Sequence, residues 1–250
     1  MGNMPIKKIH TFGDGYASNH IWPEWPWLLE ALVPEVEFEH HGQIGAGNEF
    51  ISNAAIQVNL KDPDAFFLVQ WAEPYRFDKL LQDTSWDHII DSDPVYAFNR
   101  VGVADQTWWI SSKSQQPQIK TYHEIFVQSQ QHECRTSNLI YLMYHLLRGK
   151  SLFFSTQSIY RLVVPEVDNF IKLDMISYSQ QSRFGSCRQN QVQPSPPGHL
   201  CYLVEYGLPR LPIAIDSLRL QKLQTLVNTQ NWIPYDPDRQ QKWIELKQQL

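Results

Sequence analysis

A chain of 250 residues with a net charge of −5 has the length of one large α/β domain or two small ones, and its acidic balance excludes a nucleic-acid partner held by a basic surface. Only 19% of the residues are charged while 13% are aromatic, with nine Trp, a composition that suits contact with partners or a large aromatic core. Cys134, Cys187 and Cys201 are odd in number and lack metal-type spacing, which speaks against a disulfide framework and for a reducing compartment.

Lys7 and Lys8 lead into His10 and Thr11 rather than an apolar run, so no signal peptide is expected. No window approaches the roughly 18 apolar residues of a membrane helix. The expectation is a soluble product of the cytoplasm with no membrane partner.

In chain order, residues 5–12 read as a strand bounded by Gly13. Residues 22–32 read as a helix entered through Pro23 and Pro26, which suit a first turn. Residues 36–40 form a short second strand, and 42–47 a loop. Residues 48–60 carry Phe50, Ile51, Ala54, Ala55 and Val58 at helical spacing. Residues 65–71 are almost wholly apolar, as a buried parallel strand would be. Residues 74–118 have no sustained period and read as an irregular insertion or lid. A long helix is predicted over 121–147, stopped by Gly149, then a buried strand over 152–156 and an apolar helix from 199 to about 206. The Gln-rich tail from 211 holds two amphipathic stretches, 216–227 and 237–250. The alternation predicts an α/β fold, with a central parallel sheet covered on both faces as a three-layer sandwich over 1–210. Residues 211–250 are expected to be an appended helical arm.

Four segments stand out in order. Phe12-Gly13-Asp14-Gly15 closes the first strand. Gly45-Ala46-Gly47-Asn48-Glu49 follows the second. Val69-Gln70-Trp71-Ala72, with Arg76 behind it, ends the third. Asn190 to His199, with a Pro-Ser-Pro run, precedes the late helix. Together they resemble the sequence blocks of the SGNH/GDSL hydrolases, in particular the divergent members found in phages and their bacterial hosts. The resemblance covers about residues 5–207 and implies an SGNH/flavodoxin-like sandwich with an acyl-transfer cleft.

In that family a serine attacks, a histidine takes its proton, an aspartate orients the histidine, and a Gly amide and an Asn help hold the oxyanion. Carried over residue by residue, the nucleophile position holds Gly15 and the oxyanion Asn position holds Ala72. The Asp and His positions fall on Asn190 and Gln193, neither of which can serve as a base near neutral pH. The resemblance therefore implies the frame of an esterase without its triad.

A relocated pair is the alternative: Ser18 as nucleophile, with His20 or His199 as base. Against it, Ser18 reads as a cap of the first helix, and the two histidines read as packed residues. Asp14 is expected to bond turn amides. Gly45, Asn48, Trp71 and Arg76 are expected to line the inherited cleft, with Arg76 paired to a carboxylate such as Glu49. Trp22, Trp25 and Trp27 would either stack on sugar rings or pack in a core or subunit contact. His40 and His41 beside Glu39 are not expected to hold a metal, because neighbours on a strand point to opposite faces. His132-Glu133-Cys134 reads as a solvated helix face, and no cofactor is expected. The function expected is a non-catalytic structural or binding module, part of a phage virion. It would contact a protein partner or its own copy through aromatic surface and the C-terminal arm, or take up a glycan. The alternatives are an ester hydrolase acting on acylated saccharides or small esters, and a chain that assists a true hydrolase by pairing with it.

Overall fold

The fold was analysed in a computed structural model that describes residues 6–19, 22–74, 76–81, 99–103, 106–111, 129–179, 194–233 and 236–250, with residues 77–111 and Ser129 described in backbone only. Alternation along the first strand, β1 (Lys8–Gly13), sends Ile9 and Thr11 to one face and His10 and Phe12 to the other. β1 pairs in parallel with β2 (Glu37–Gly42) and β3 (Phe66–Trp71). Three further strands, β4 (Phe77–Leu81), β5 (Asn99–Val103) and β6 (Gln106–Ser111), follow before β7 (Ser151–Ser155). β7 pairs in parallel with β3 and completes a sheet of order β2-β1-β3-β7. All six residues of β3 are buried, which is why its sequence is apolar apart from Gln70. β2 is an edge strand and carries Glu37, Glu39, His40 and His41.

Seven α-helices are described: α1 (Trp25–Leu32), α2 (Asn48–Lys61), α3 (Ser129–Leu146), α4 (Met175–Ser179), α5 (Pro196–Tyr202), α6 (Ser217–Thr229) and α7 (Arg239–Lys247). α1 and α5 each carry Pro in the first turn, where a missing N–H costs nothing. On one face of the sheet Ile9, Leu68 and Phe154 pack with Leu28 and Leu29 of α1, Leu200 and Tyr202 of α5, and Leu223, Val227, Trp243 and Leu246 of the tail. On the other face Phe12, Phe67, Val69 and Phe153 pack with Phe50, Ile51 and Ala54 of α2 and Ile140 and Met143 of α3. The chain is an α/β fold with helices on both faces of a parallel sheet.

The structure adds detail to two expectations. The tail is helical, and its helices pack onto the main fold. Leu223 and Val227 are fully buried, with Trp243 and Leu246 nearly so, and each such burial stabilises by about 1.5–3 kcal/mol. Arg219 Nε donates to the Ala31 carbonyl at 2.6 Å, and Lys247 Nζ donates to Glu30 Oε1 at 2.8 Å. The buried apolar residues of α6 and α7 pack in one core with α1 of the same chain. The hydrogen bonds from His40 and Lys247 hold the Glu30 carboxyl down at about 2.

The segment 74–118 is not irregular throughout. β4, β6 and β5 form an antiparallel sheet in that order, with β4 against α2. These strands have five or six residues, too few to show a period against the polar residues among them. The late helix starts at Pro196, and its last turns, Leu203–Gly207, are π-helical. α3 is described from Ser129 to Leu146; residues 121–128 of the predicted long helix lie outside the described residues.

Candidate functional site

A parallel sheet in which successive strands leave β1 to opposite sides, β2 one way and β3 the other, opens a crevice at the carboxyl ends of its strands. Here β1 ends at Gly13 and β3 at Trp71. The chain leaves β1 in a 3₁₀ turn, Gly15–Ala17, capped by Asp14, whose Oδ1 accepts from the Tyr16 N–H at 3.0 Å. The turn packs tightly on the end of β2. A Cβ at Gly42 would stand 1.9 Å from the Ala17 carbonyl oxygen, so only glycine fits there.

Asp14 is fully buried. Its Oδ1 also accepts from Gln70 Nε2 at 2.9 Å, and Arg76 Nη2 lies 2.9 Å from its Oδ2. Burial pushes the Asp14 carboxyl up, while the Arg76 guanidinium, the Tyr16 N–H and the Gln70 amide pull it back down. Gln70 is itself saturated: its Nε2 also donates to Thr156 Oγ1 at 2.6 Å, and its Oε1 accepts from Trp25 Nε1. Asn48, at the start of α2, clamps the end of β3. Its Nδ2 donates to the Ala72 carbonyl at 3.1 Å and to Thr136 Oγ1 at 3.2 Å, and its Oδ1 accepts from the Ala72 N–H at 2.9 Å. Gly45 enters this loop at φ +78°, a conformation that favours glycine.

The structure thus brings Asp14, Asn48 and Arg76 together at the crevice, with Gln70 and Trp25 beneath. Arg76 pairs with Asp14 and with Glu73, 3.5 Å from its Nε, and not with Glu49, whose partner is Arg135. Trp71 is buried, edge-on to Phe153 at 5.8 Å. Trp25 is wholly buried, and Trp22 is buried with its Nε1 donating to the Pro194 carbonyl at 3.0 Å. Neither presents a ring to a sugar. Trp27 stacks against His40 at 4.4 Å. His132 and Glu133 are half-buried rather than solvated, and burial lowers the His132 pKa.

Ser18 does not cap α1. It ends the 3₁₀ turn, and its hydroxyl donates to the Gly15 carbonyl at 2.9 Å. His199 is fully buried, neither ring nitrogen has a hydrogen-bond partner among the described residues, and burial lowers its pKa to about 3. Among the described residues no imidazole is hydrogen-bonded to Ser18. His20, Asn190 and Gln193 lie outside the described residues. At Gly15 no described atom beyond the neighbouring residues lies within 4 Å of where a Cβ would stand, so the described crevice has room for a side chain there. In acyl transfer a nucleophile needs a base in hydrogen-bond reach. The described crevice instead offers a buried carboxyl whose partners are all fixed.

A second polar group lies on β1 and β2. His10, Glu39 and His41 share one sheet face, and Asp62 reaches them from the end of α2. Burial lowers the His41 pKa to about 4. Comparing adjacent residues His40 and His41 hides this cluster, because its members are two apart on β2 or on the neighbouring strand. The i, i+2 spacing of Glu37, Glu39 and His41, set beside Lys8 and His10, is the signal that finds it.

No helix among the described residues is long and apolar enough to cross a membrane. No protein-family model, no curated protein and no solved structure matches this chain.

Proposed function

We propose that this chain is a non-catalytic SGNH-like module that binds protein, either a second copy or a component of a larger particle such as a phage virion. The observation that carries this reading is the condition of the strand-to-helix turn. The residue after Asp14 is a glycine. Asp14 is buried with Tyr16, Gln70 and Arg76 fixed around it. The Ser18 hydroxyl, three residues past Gly15, is turned onto a backbone carbonyl. A site poised for acyl transfer keeps its nucleophile on a base and a side-chain amide ready for the oxyanion, whereas here the position of that amide holds Ala72.

Support for a protein ligand comes from α3, which turns Tyr141, Leu142 and Leu146 outward at 43%, 52% and 40% exposure. A group of exposed apolar side chains on one helix is a common mark of protein contact. The burial of Trp22 and Trp25 weighs against a glycan held by those rings.

Hydrolysis of an aryl acetate by the full chain and by Ser18→Ala tests the reading. Neither should exceed the buffer rate. Turnover by the wild type that Ser18→Ala abolishes would establish a working esterase and end the proposal. Light scattering across a concentration series, with Leu142→Glu alongside, tests self-association through α3: a wild-type dimer that the variant dissolves supports it, and a monomer throughout rules out the second copy as the ligand.

A further inference from the structure

We propose that His10, Glu39 and His41 form a binding site for one divalent transition-metal ion of the zinc type, oriented by Asp62. His10 lies in the middle of β1, opposite Glu39 on β2, and His41 follows two residues along the same face. Three candidate ligand atoms converge. His10 Nδ1 is 3.0 Å from His41 Nε2 and 3.4 Å from Glu39 Oε2, and His41 Nε2 is 3.8 Å from the same oxygen. An ion held tetrahedrally by nitrogen and oxygen at about 2.0–2.1 Å sets its ligands about 3.3 Å apart. The three spacings bracket that value, so an ion can enter with small side-chain adjustments and no backbone shift.

His10 Nε2 lies 3.1 Å from Asp62 Oδ2. A carboxylate can only accept, so a proton on Nε2 faces Asp62, and on the neutral ring that binds a metal Nδ1 keeps its lone pair toward His41 and Glu39. A ligating histidine nearly always gives its other N–H to a carboxylate or carbonyl in this way. The His10 side chain is 2% exposed while those of His41 and Glu39 are 24% and 47% exposed, so the site has a rigid floor and an open mouth. Two imidazoles and a carboxylate select zinc, cobalt or similar ions over magnesium or calcium, which prefer oxygen alone. Three protein ligands leave a fourth position for water or a ligand.

The charges agree. Glu37, Glu39 and Asp62 surround a single ammonium, Lys8, at 3.1, 2.5 and 3.3 Å. With neutral histidines the group carries two uncompensated negative charges, which a divalent ion would offset. Lys8 holds Glu39 through Oε1, leaving Oε2 to face the imidazoles. The inference is independent of whether the crevice at Asp14 is catalytic.

Titration of the chelator-treated full chain with Co²⁺, followed by its visible absorption, and with Zn²⁺, followed by calorimetry, tests the site. One equivalent should bind, with the strong visible bands of four-coordinate cobalt. His41→Ala and Glu39→Gln change partly exposed residues and should keep the native circular dichroism while losing at least tenfold in affinity. Asp62→Asn should lose about 10–100-fold, as loss of an orienting carboxylate does elsewhere. Absence of saturable binding would overturn the proposal and leave a purely structural ion-pair network. So would uptake that is unchanged in folded His41→Ala and Glu39→Gln.

Discussion

Gln70 donates to Asp14 across 2.9 Å and so joins the end of β3 to the end of β1 inside the crevice. The same side chain reaches Thr156 and accepts from Trp25. One amide therefore satisfies groups from the first strand's turn, the first helix and the residue after the last strand of the parallel sheet. A buried network of this kind is stabilising when complete and costly when one member is lost.

Gln70→Leu keeps the volume and removes every bond. It leaves the Trp25 N–H without a partner and takes one of two donors from Asp14 Oδ1, so a loss of about 2–4 kcal/mol in urea unfolding is expected. A loss under about 0.5 kcal/mol would mean that water replaces the amide without penalty.

Gly15→Ser should fold. Among the described residues nothing beyond the chain neighbours stands within 4 Å of the new Cβ, and the change restricts the unfolded chain, so stability should be unchanged or rise by up to about 1 kcal/mol. Restoring the hydroxyl should not create an esterase, because no described imidazole is placed to take its proton. Thermal melts and an aryl-acetate assay check both halves. Activity in this variant would reveal a base beside the turn.

Trp243→Ala should destabilise the whole chain by about 3–5 kcal/mol, the usual range for a buried Trp, since Trp243 is packed in the same core as Leu28 and Leu32 of α1. An unfolding curve with one transition, shifted as a unit, is the expected record. A separate early transition confined to the tail would show that α6 and α7 fold independently.

His199 gives the fold a sensitivity to acid. Its pKa is lowered from 6.5 to about 3 by burial, so below pH 6.5 the unfolded chain binds a proton that the folded chain refuses. Stability must then fall as pH drops, by about 2 kcal/mol between pH 7 and 5. His199→Phe removes the titrating group. Its unfolding free energy should change less over that interval than the wild type's, measured in urea at both pH values.

Much of the parallel sheet was legible because buried strands of this kind are written as apolar runs. The run ending at Trp71 predicts β3, and Phe50, Ile51, Ala54 and Ala55 predict α2 to within a residue or so. The placement of the tail was not legible. Amphipathic faces at 216–227 and 237–250 say that something covers them, and only the folded chain shows that they pack in one core with α1. The candidate crevice was half legible. Asp14, Asn48 and Arg76 lie together there, and Arg76 pairs with the buried carboxyl of Asp14, where low dielectric strengthens the pairing, rather than with the more exposed Glu49. The His10 cluster escaped because parallel register, not sequence distance, brings His10 to Glu39.

β2 leaves one rim of the main sheet unpaired among the described residues, yet chains of this kind must resist joining rim to rim into aggregates. Glu37 and Glu39, with Lys8 reaching over from β1, set a row of charge along that rim, and charge is what keeps an open strand from recruiting another chain. A variant that replaced these residues with threonine and valine would keep the strand and invite its polymerisation.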